Sequence, residues 1–115
     1  LEFRRVLFRS RVIGAKAGIG GTYAVMPDLF LKLNQLIIDK DLDRAKELQH
    51  AINSVIYKMV SGRANLYAVM KEILRLNEDL DIGSVRAPLE PLSEGDYAIA
   101  KEAAAMIKQI REDFL

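Results

Sequence analysis

The 115-residue sequence has no cysteine and a single histidine. The first absence excludes a disulfide framework and any thiolate metal site, and the second leaves too few imidazoles for a multi-histidine metal centre. The reducing cytoplasm is therefore the expected compartment. No apolar run approaches the ~20 residues that span a bilayer, and no basic, apolar and small-residue succession at the start resembles a signal peptide. Neither a membrane nor an export route is expected. An excess of one charge is also lacking, since 17 Lys and Arg stand against 16 Asp and Glu. Three of those basic residues, Arg4, Arg5 and Arg9, and one acidic residue, Glu2, lie in the first ten positions, so the remainder carries 14 against 15, a net of −1. Interspersed, nearly balanced charge offers no electrostatic footprint for DNA or RNA.

What is present supports one modest domain. Half of the residues are hydrophobic, and the length falls within the commonest domain size. Residues 1–10, Leu1-Glu2-Phe3-Arg4-Arg5-Val6-Leu7-Phe8-Arg9-Ser10, match the conceptual translation of a common short-read sequencing adapter. We set them aside from fold reasoning as one would a fusion scar. The expectation is that Arg11 does not lie near a natural start and that the chain is a piece of something longer.

Four of the seven glycines fall between residues 14 and 21, in Gly14-Ala15-Lys16-Ala17-Gly18-Ile19-Gly20-Gly21-Thr22-Tyr23-Ala24. Glycine at this density costs stability and is used where a backbone turns sharply or approaches a ligand. The segment from Val12 to Tyr23 is apolar apart from Lys16, which predicts a buried strand over Lys16–Gly20 leading into a turn.

Helical periodicity takes over from there. Pro27 suits an early helical position, and Leu29, Phe30, Leu33, Leu36 and Ile37 predict a first helix over about Pro27–Ile38. Asp41 or Asp43 can cap the next helix, whose stripe is Ala45, Leu48, Ile52, Val55, Ile56 and Met59. Gly62 reads as its left-handed stop. A third helix carries Leu66, Tyr67, Met70, Ile73 and Leu74 to about Asn77, forming a helical hairpin with the second. Gly83, Pro88 and Pro91 mark an extended arm from Leu80 to Pro91. Ser93 and Asp96 then form a capping-box pattern before a last stripe of Ile99, Ala103, Met106, Ile107, Ile110 and Phe114. A single strand cannot satisfy its own backbone groups. Its partners are expected in a missing part of the protein.

The glycine segment resembles the last barrel strand of the dihydrodipicolinate synthase and N-acetylneuraminate lyase family, in which sialate lyases typically read G-A-D-G-G-I-G-S-T-Y-N. Two further stretches are similar: Glu47-Leu48-Gln49, and Val85-Arg86-Ala87-Pro88-Leu89-Glu90-Pro91, which is similar to the family's R-x-P-x-x-P arm. The resemblance runs over essentially all of residues 12–115. It implies a parent α/β protein with a (β/α)8 TIM barrel, which takes ~250 residues, followed by a small helical domain. This chain, mostly α, would hold the last β/α unit in residues 11–40 and the C-terminal helical domain in residues 41–115.

The resemblance further implies a cytoplasmic class I aldolase, a carbon–carbon lyase that binds pyruvate or a related 2-oxo acid as a Schiff base and needs no cofactor or metal. The parent would be a homo-oligomer, a tetramer. The reactive lysine, the proton-relaying tyrosine and the carboxylate-binding hydroxyl pair all fall in earlier strands, so no catalytic residue is expected here and the fragment alone should be inactive. Substrate-binding positions carried over are Ile19, whose backbone carbonyl would line the pyruvate pocket, and Gly20, Gly21 and Thr22 at the catalytic rim. Gly21 and Ala24 depart from the family's serine and asparagine, and the serine hydroxyl helps hold the tail of sialic acid. The departures leave the substrate open beyond a pyruvate-type acid.

Other residues have plainer readings. The glycine run lacks the Gly-Lys-Ser/Thr ending of a phosphate loop and the spacing of a dinucleotide turn. Lys16 reads as a structural or rim charge, His50 as a surface or interface residue, and Tyr57 and Tyr67 as core packing with bonded hydroxyls. Arg86 should tie the arm to the helices. The competing function is a non-enzymatic helical interaction module, which predicts that residues 24–115 fold alone as a monodisperse unit.

Overall fold

The computed structural model describes residues 6–115, so the first half of the adapter-like segment lies outside the described residues. The elements are α1 (Val6–Val12), a 3-10 turn (Gly21–Ala24), α2 (Pro27–Ile38), α3 (Leu42–Met59), α4 (Leu66–Glu78) and α5 (Glu94–Phe114). Residues 6–10, set aside above, begin α1, and Leu7 is buried in the core.

The expected strand over Lys16–Gly20 does not form. Among the described residues no strand is present, and positions 15–20 run without regular structure, although Gly20 keeps extended dihedrals (φ −159°, ψ 141°). A ladder needs a second backbone, and this chain offers none beside the segment. The expected burial fails for the same reason: Ile13 and Ile19 are 85% and 102% exposed.

The helices follow the apolar stripes. Pro27 opens α2, and Leu29, Phe30, Leu33 and Leu36 are its buried face. Asp41 caps α3 by accepting from the Arg44 amide. The buried face of α3 also takes in Gln49 and Asn53, where Gln49 Nε2 donates to Asn53 Oδ1 at 3.0 Å. One turn of helix separates the two amides, so each supplies a partner that the apolar surroundings cannot.

Gly62 does not act as a left-handed stop, because its φ lies outside that region. It is needed for a close approach instead: a Cβ there would run into Asp96 Oδ1 and lie 2.9 Å from Ile99 Cδ1. The αL positions that do turn the chain after helices are Lys40 (φ 62°) and Asp79 (φ 53°), the latter capping α4.

The expected hairpin of α3 and α4 is weak. Both pack against α5 and only slightly on each other, and α3 rests almost as much on α2. The alanines Ala100, Ala103 and Ala104, all buried, let α5 come close to its neighbours. Arg111 near its end joins Asp28 of α2 (Nε to Oδ2, 2.8 Å) and Glu78 of α4 (3.2 Å), and Lys58 of α3 pairs with Glu102. A single apolar core runs from Leu7 through α2, α3 and α4 to Ile110.

The arm between α4 and α5 is irregular. Lys71 Nζ donates to the Ser84 carbonyl (2.7 Å) and the Asn65 amide donates to the Glu90 carbonyl (3.2 Å). Arg86, expected to make this tie, has an exposed side chain. Its flanking residues place the backbone, while Lys71 and Asn65 reach out from α4 and its cap.

Candidate functional site

The glycine segment leaves α1 at Gly14, where φ is 106° and the amide donates to the Arg11 carbonyl at 3.1 Å. A side chain would be strained in that backbone conformation. Farther on, Gly18 and Gly20 make room for one residue. A Cβ on Gly18 would sit 2.7 Å from the Tyr23 hydroxyl oxygen, and one on Gly20 would sit 2.8 Å from Tyr23 Cε1. The Tyr23 ring fills the space under the segment and packs against Phe30 with centroids 4.2 Å apart. Burial pushes the Tyr23 phenol pKa upward, so the hydroxyl keeps its proton through the neutral range.

All four substrate-binding candidates line one cleft. Gly20, Gly21 and Thr22 border a cleft of about 170 Å³ with Ile19 at its edge and Tyr67 across it. Thr22 is buried, and its carbonyl accepts from the Val25 amide at 3.4 Å, which closes the 3-10 turn. Ile19 projects its side chain fully away from the core. A segment built this way offers backbone atoms to a ligand with no Cβ in between.

Lys16 lies on the other side of the segment. There a second cleft of about 320 Å³ is bordered by Arg11, Lys16, Tyr23 and Asn34. Arg11 Nε donates to Asn34 Oδ1 at 2.6 Å, and its Nη1 donates to the Ala15 carbonyl. Lys16 is exposed and stands apart from the cleft that holds Gly20–Thr22. His50 is exposed on α3, as expected. Among the described residues no group of three His, Cys, Asp or Glu is placed to hold a metal ion, and no helix is long and apolar enough to cross a membrane.

Tyr57 and Tyr67 were expected in the core and are instead 51% and 52% exposed. For Tyr67 the reason is local. Asn65 caps α4 by accepting from the Tyr67 amide at 2.9 Å, which fixes Tyr67 in the first turn, facing the glycine segment rather than the buried stripe. Sequence spacing carries no sign of that juxtaposition, because it joins two segments far apart in the chain.

A model of the dihydrodipicolinate synthetase family matches residues 6–110. This chain belongs to that family. An N-acetylneuraminate lyase of Mediterraneibacter gnavus is 50% identical over 105 residues, covering 91% of this chain and 33% of its own length. One from Fusobacterium nucleatum is 32% identical over 100 residues, covering 87% of this chain and 33% of its own length. Among solved structures, the catalytic lysine mutant of the Ruminococcus gnavus sialic acid aldolase superposes with a TM-score of 0.95 at 46% identity, over 98% of this chain and 37% of that one. The wild-type form of that aldolase gives the same TM-score and identity over 97% of this chain. The chain spans about a third of the length of the curated family members it matches.

Proposed function

We propose that this chain is the C-terminal part of a pyruvate-dependent carbon–carbon lyase that works through a Schiff base. Residues 11–40 would be the last β/α unit of its barrel and residues 41–115 its C-terminal helical domain. The observation that carries the reading is the TM-score of 0.95 to a sialic acid aldolase at 46% identity. Agreement at that level covers the chain path over 98% of the residues.

In this reading the glycine segment is one wall of a shared pocket. The Ile19 carbonyl and the backbone of Gly20 and Gly21 would face the pyruvate moiety, with Thr22 holding the turn that presents them. The exposed apolar residues Ile13, Ile19 and Leu31 fit a surface that the rest of a barrel covers. The nucleophile would be a lysine in the part of the protein before this chain; the related aldolase whose lysine was mutated is described as having a catalytic one. Because the relatives are N-acetylneuraminate lyases, a sugar acid of the sialic type is the favoured substrate in spite of Gly21 and Ala24. No cofactor is required, and the whole protein would act in the cytoplasm as a homo-oligomer.

The test is borohydride reduction in the presence of pyruvate, followed by peptide mass analysis. The full-length protein should trap pyruvate on a lysine preceding residue 11, and residues 11–115 alone should trap none. A stoichiometric adduct on Lys16 would overturn both the placement and the mechanism.

A further inference from the structure

We infer that Arg111 is a positioning residue: by clamping the start of α2 it holds in place the turn that carries Gly20, Gly21 and Thr22, so that the last helix of the chain sets the backbone of the pocket wall. The effect on substrate rests on the lyase reading above, whereas the clamp itself consists of contacts within this chain.

Arg111 joins two helix ends that are far from it in sequence. Its Nη2 donates to Asp28 Oδ1 in the first turn of α2 (3.3 Å) and to Glu78 Oε1 in the last residue of α4 (3.2 Å). Nε stands 2.8 Å from the other Asp28 oxygen as a charge contact, its N–H not aimed at that oxygen. The Arg111 side chain is only 23% exposed, so water screens the contact less than it would on an open surface. By packing, α5 leans heavily on α3 and α4 but only lightly on α2. Where the end of α5 meets the start of α2, the charged tie is therefore a main link.

The start of α2 needs such a tie. Val25 and Met26 are buried and seat the chain in the core, but apolar burial has no preferred direction. The N-cap, Met26, lends no side-chain acceptor to the first-turn amides, and the Asp28 carboxylate accepts from the Leu29 amide at 3.0 Å. The turn before the helix is loosely closed. The Tyr23 amide donates to the Gly20 carbonyl at 3.3 Å and the Val25 amide to the Thr22 carbonyl at 3.4 Å, both longer than the usual range. A turn held this weakly by its own bonds takes its orientation from the helix it leads into, and Asp28 is the polar anchor of that helix.

The experiment uses the full-length protein in five forms: unsubstituted, Arg111→Gln, Asp28→Asn, the two combined, and Lys58→Gln. Asparagine keeps an oxygen for the Leu29 amide and removes the charge. Lys58→Gln breaks another ion pair between α5 and a neighbouring helix, Lys58 with Glu102, and controls for a merely structural effect. Hydrogen exchange of residues 20–25, read by mass spectrometry, needs no activity; the half-saturating pyruvate concentration in borohydride trapping reads the pocket. Arg111→Gln and Asp28→Asn should each speed the exchange and raise the half-saturating concentration about three- to tenfold. The double variant should go no further, because both changes break one contact, and Lys58→Gln should match the unsubstituted protein. Unchanged exchange in Arg111→Gln would overturn the inference, as would additive losses in the double variant or an equal effect of Lys58→Gln. If Arg111→Gln does not fold, Arg111→Lys keeps the charge without the fork to Asp28 and Glu78 and should show the same changes in smaller measure; unchanged exchange there overturns the clamp equally. Absence of an adduct on the unsubstituted protein defeats the lyase reading and leaves the clamp to be decided by exchange. An adduct whose half-saturation is the same in Arg111→Gln defeats the positioning role alone.

Discussion

Gly62 is the residue whose meaning changes most between sequence and structure. Its position after a helical stripe suggests a C-cap, yet the backbone there is not left-handed, and α3 closes instead at Val60. The constraint comes from Asp96, whose carboxylate reaches across from α5 to accept the Arg63 amide at 3.0 Å. Hydrogen at the Gly62 Cα leaves room for that oxygen, and a methyl group would not. Gly62→Ala is therefore expected to destabilise the fold by ~1–3 kcal/mol, the usual cost of forcing an extra carbon into a packed site. A urea titration measures it, and a midpoint equal to that of the parent sequence would mean that Asp96 and Ile99 move aside at no cost. Gly21 is the looser case, where an added Cβ would meet the Tyr67 ring at an ordinary 3.4 Å.

Helix by helix, the sequence is most informative where a stripe and a cap coincide. The range Pro27–Ile38 is read from proline and spacing alone and is the observed extent of α2. The Ser93–Asp96 pair is also visible in advance, as is a cap at Asp41 or Asp43, of which the structure uses Asp41, because capping depends on local chain geometry. What spacing cannot convey is which helices meet. The choice of α5 as the shared partner of α3 and α4 depends on Ala100, Ala103 and Ala104, which look unremarkable as a run of small residues. The strand fails for a related reason: Lys16–Gly20 has a strand's composition, but its pairing depends on chain that is not beside it.

The cap of α5 gives a prediction about acid. Asp96 accepts from the Ser93 hydroxyl (2.7 Å) and amide (2.9 Å), as well as from the Arg63 amide. These donors hold its carboxyl pKa down from 3.8 to about 2, with the Ser93 hydroxyl the leading cause. A folded-state value below the unfolded one gives stability that is complete above the unfolded pKa and disappears as pH falls through the folded one. The contribution of Asp96 is thus present above about pH 4 and lost toward pH 2. Asp96→Asn should lower stability near neutral pH and flatten the decline between those values. Parallel acid limbs for the two proteins, in thermal melts taken across that range, would contradict the assignment.

Across the whole molecule, the core is well filled but the surface is unfinished along one edge. Ile13, Ile19 and Leu31 are 85%, 102% and 71% exposed, and they lie in the turn after α1, in the glycine segment and on the outer side of α2. Residues 41–115 also expose apolar side chains, less completely, among them Tyr57, Tyr67, Ile82 and Tyr97 at 51–52%. The chain by itself should associate as its concentration rises. Replacing Ile13, Ile19 and Leu31 by serine should shift it toward a monomer in size-exclusion chromatography, with the helical circular dichroism retained. Association that persists in the triple variant would place the sticky surface elsewhere. Of the candidate site, the glycine segment and its backbone character are legible in the sequence. The partner across the cleft is not, because Tyr67 arrives through tertiary packing between the cap of α4 and the turn after Gly20.

The central place of α5 has a further consequence for how the protein is made. Synthesis runs from amino to carboxyl end, so α3 and α4 leave the ribosome before the helix that each of them leans on, and with little to offer each other in the meantime. Consolidation of α4 must wait for Glu94–Phe114 to emerge, whereas α3 can already rest on α2. Nascent chains stalled before Glu94 should be cut readily within α4, and those that display the full helix should resist the same protease.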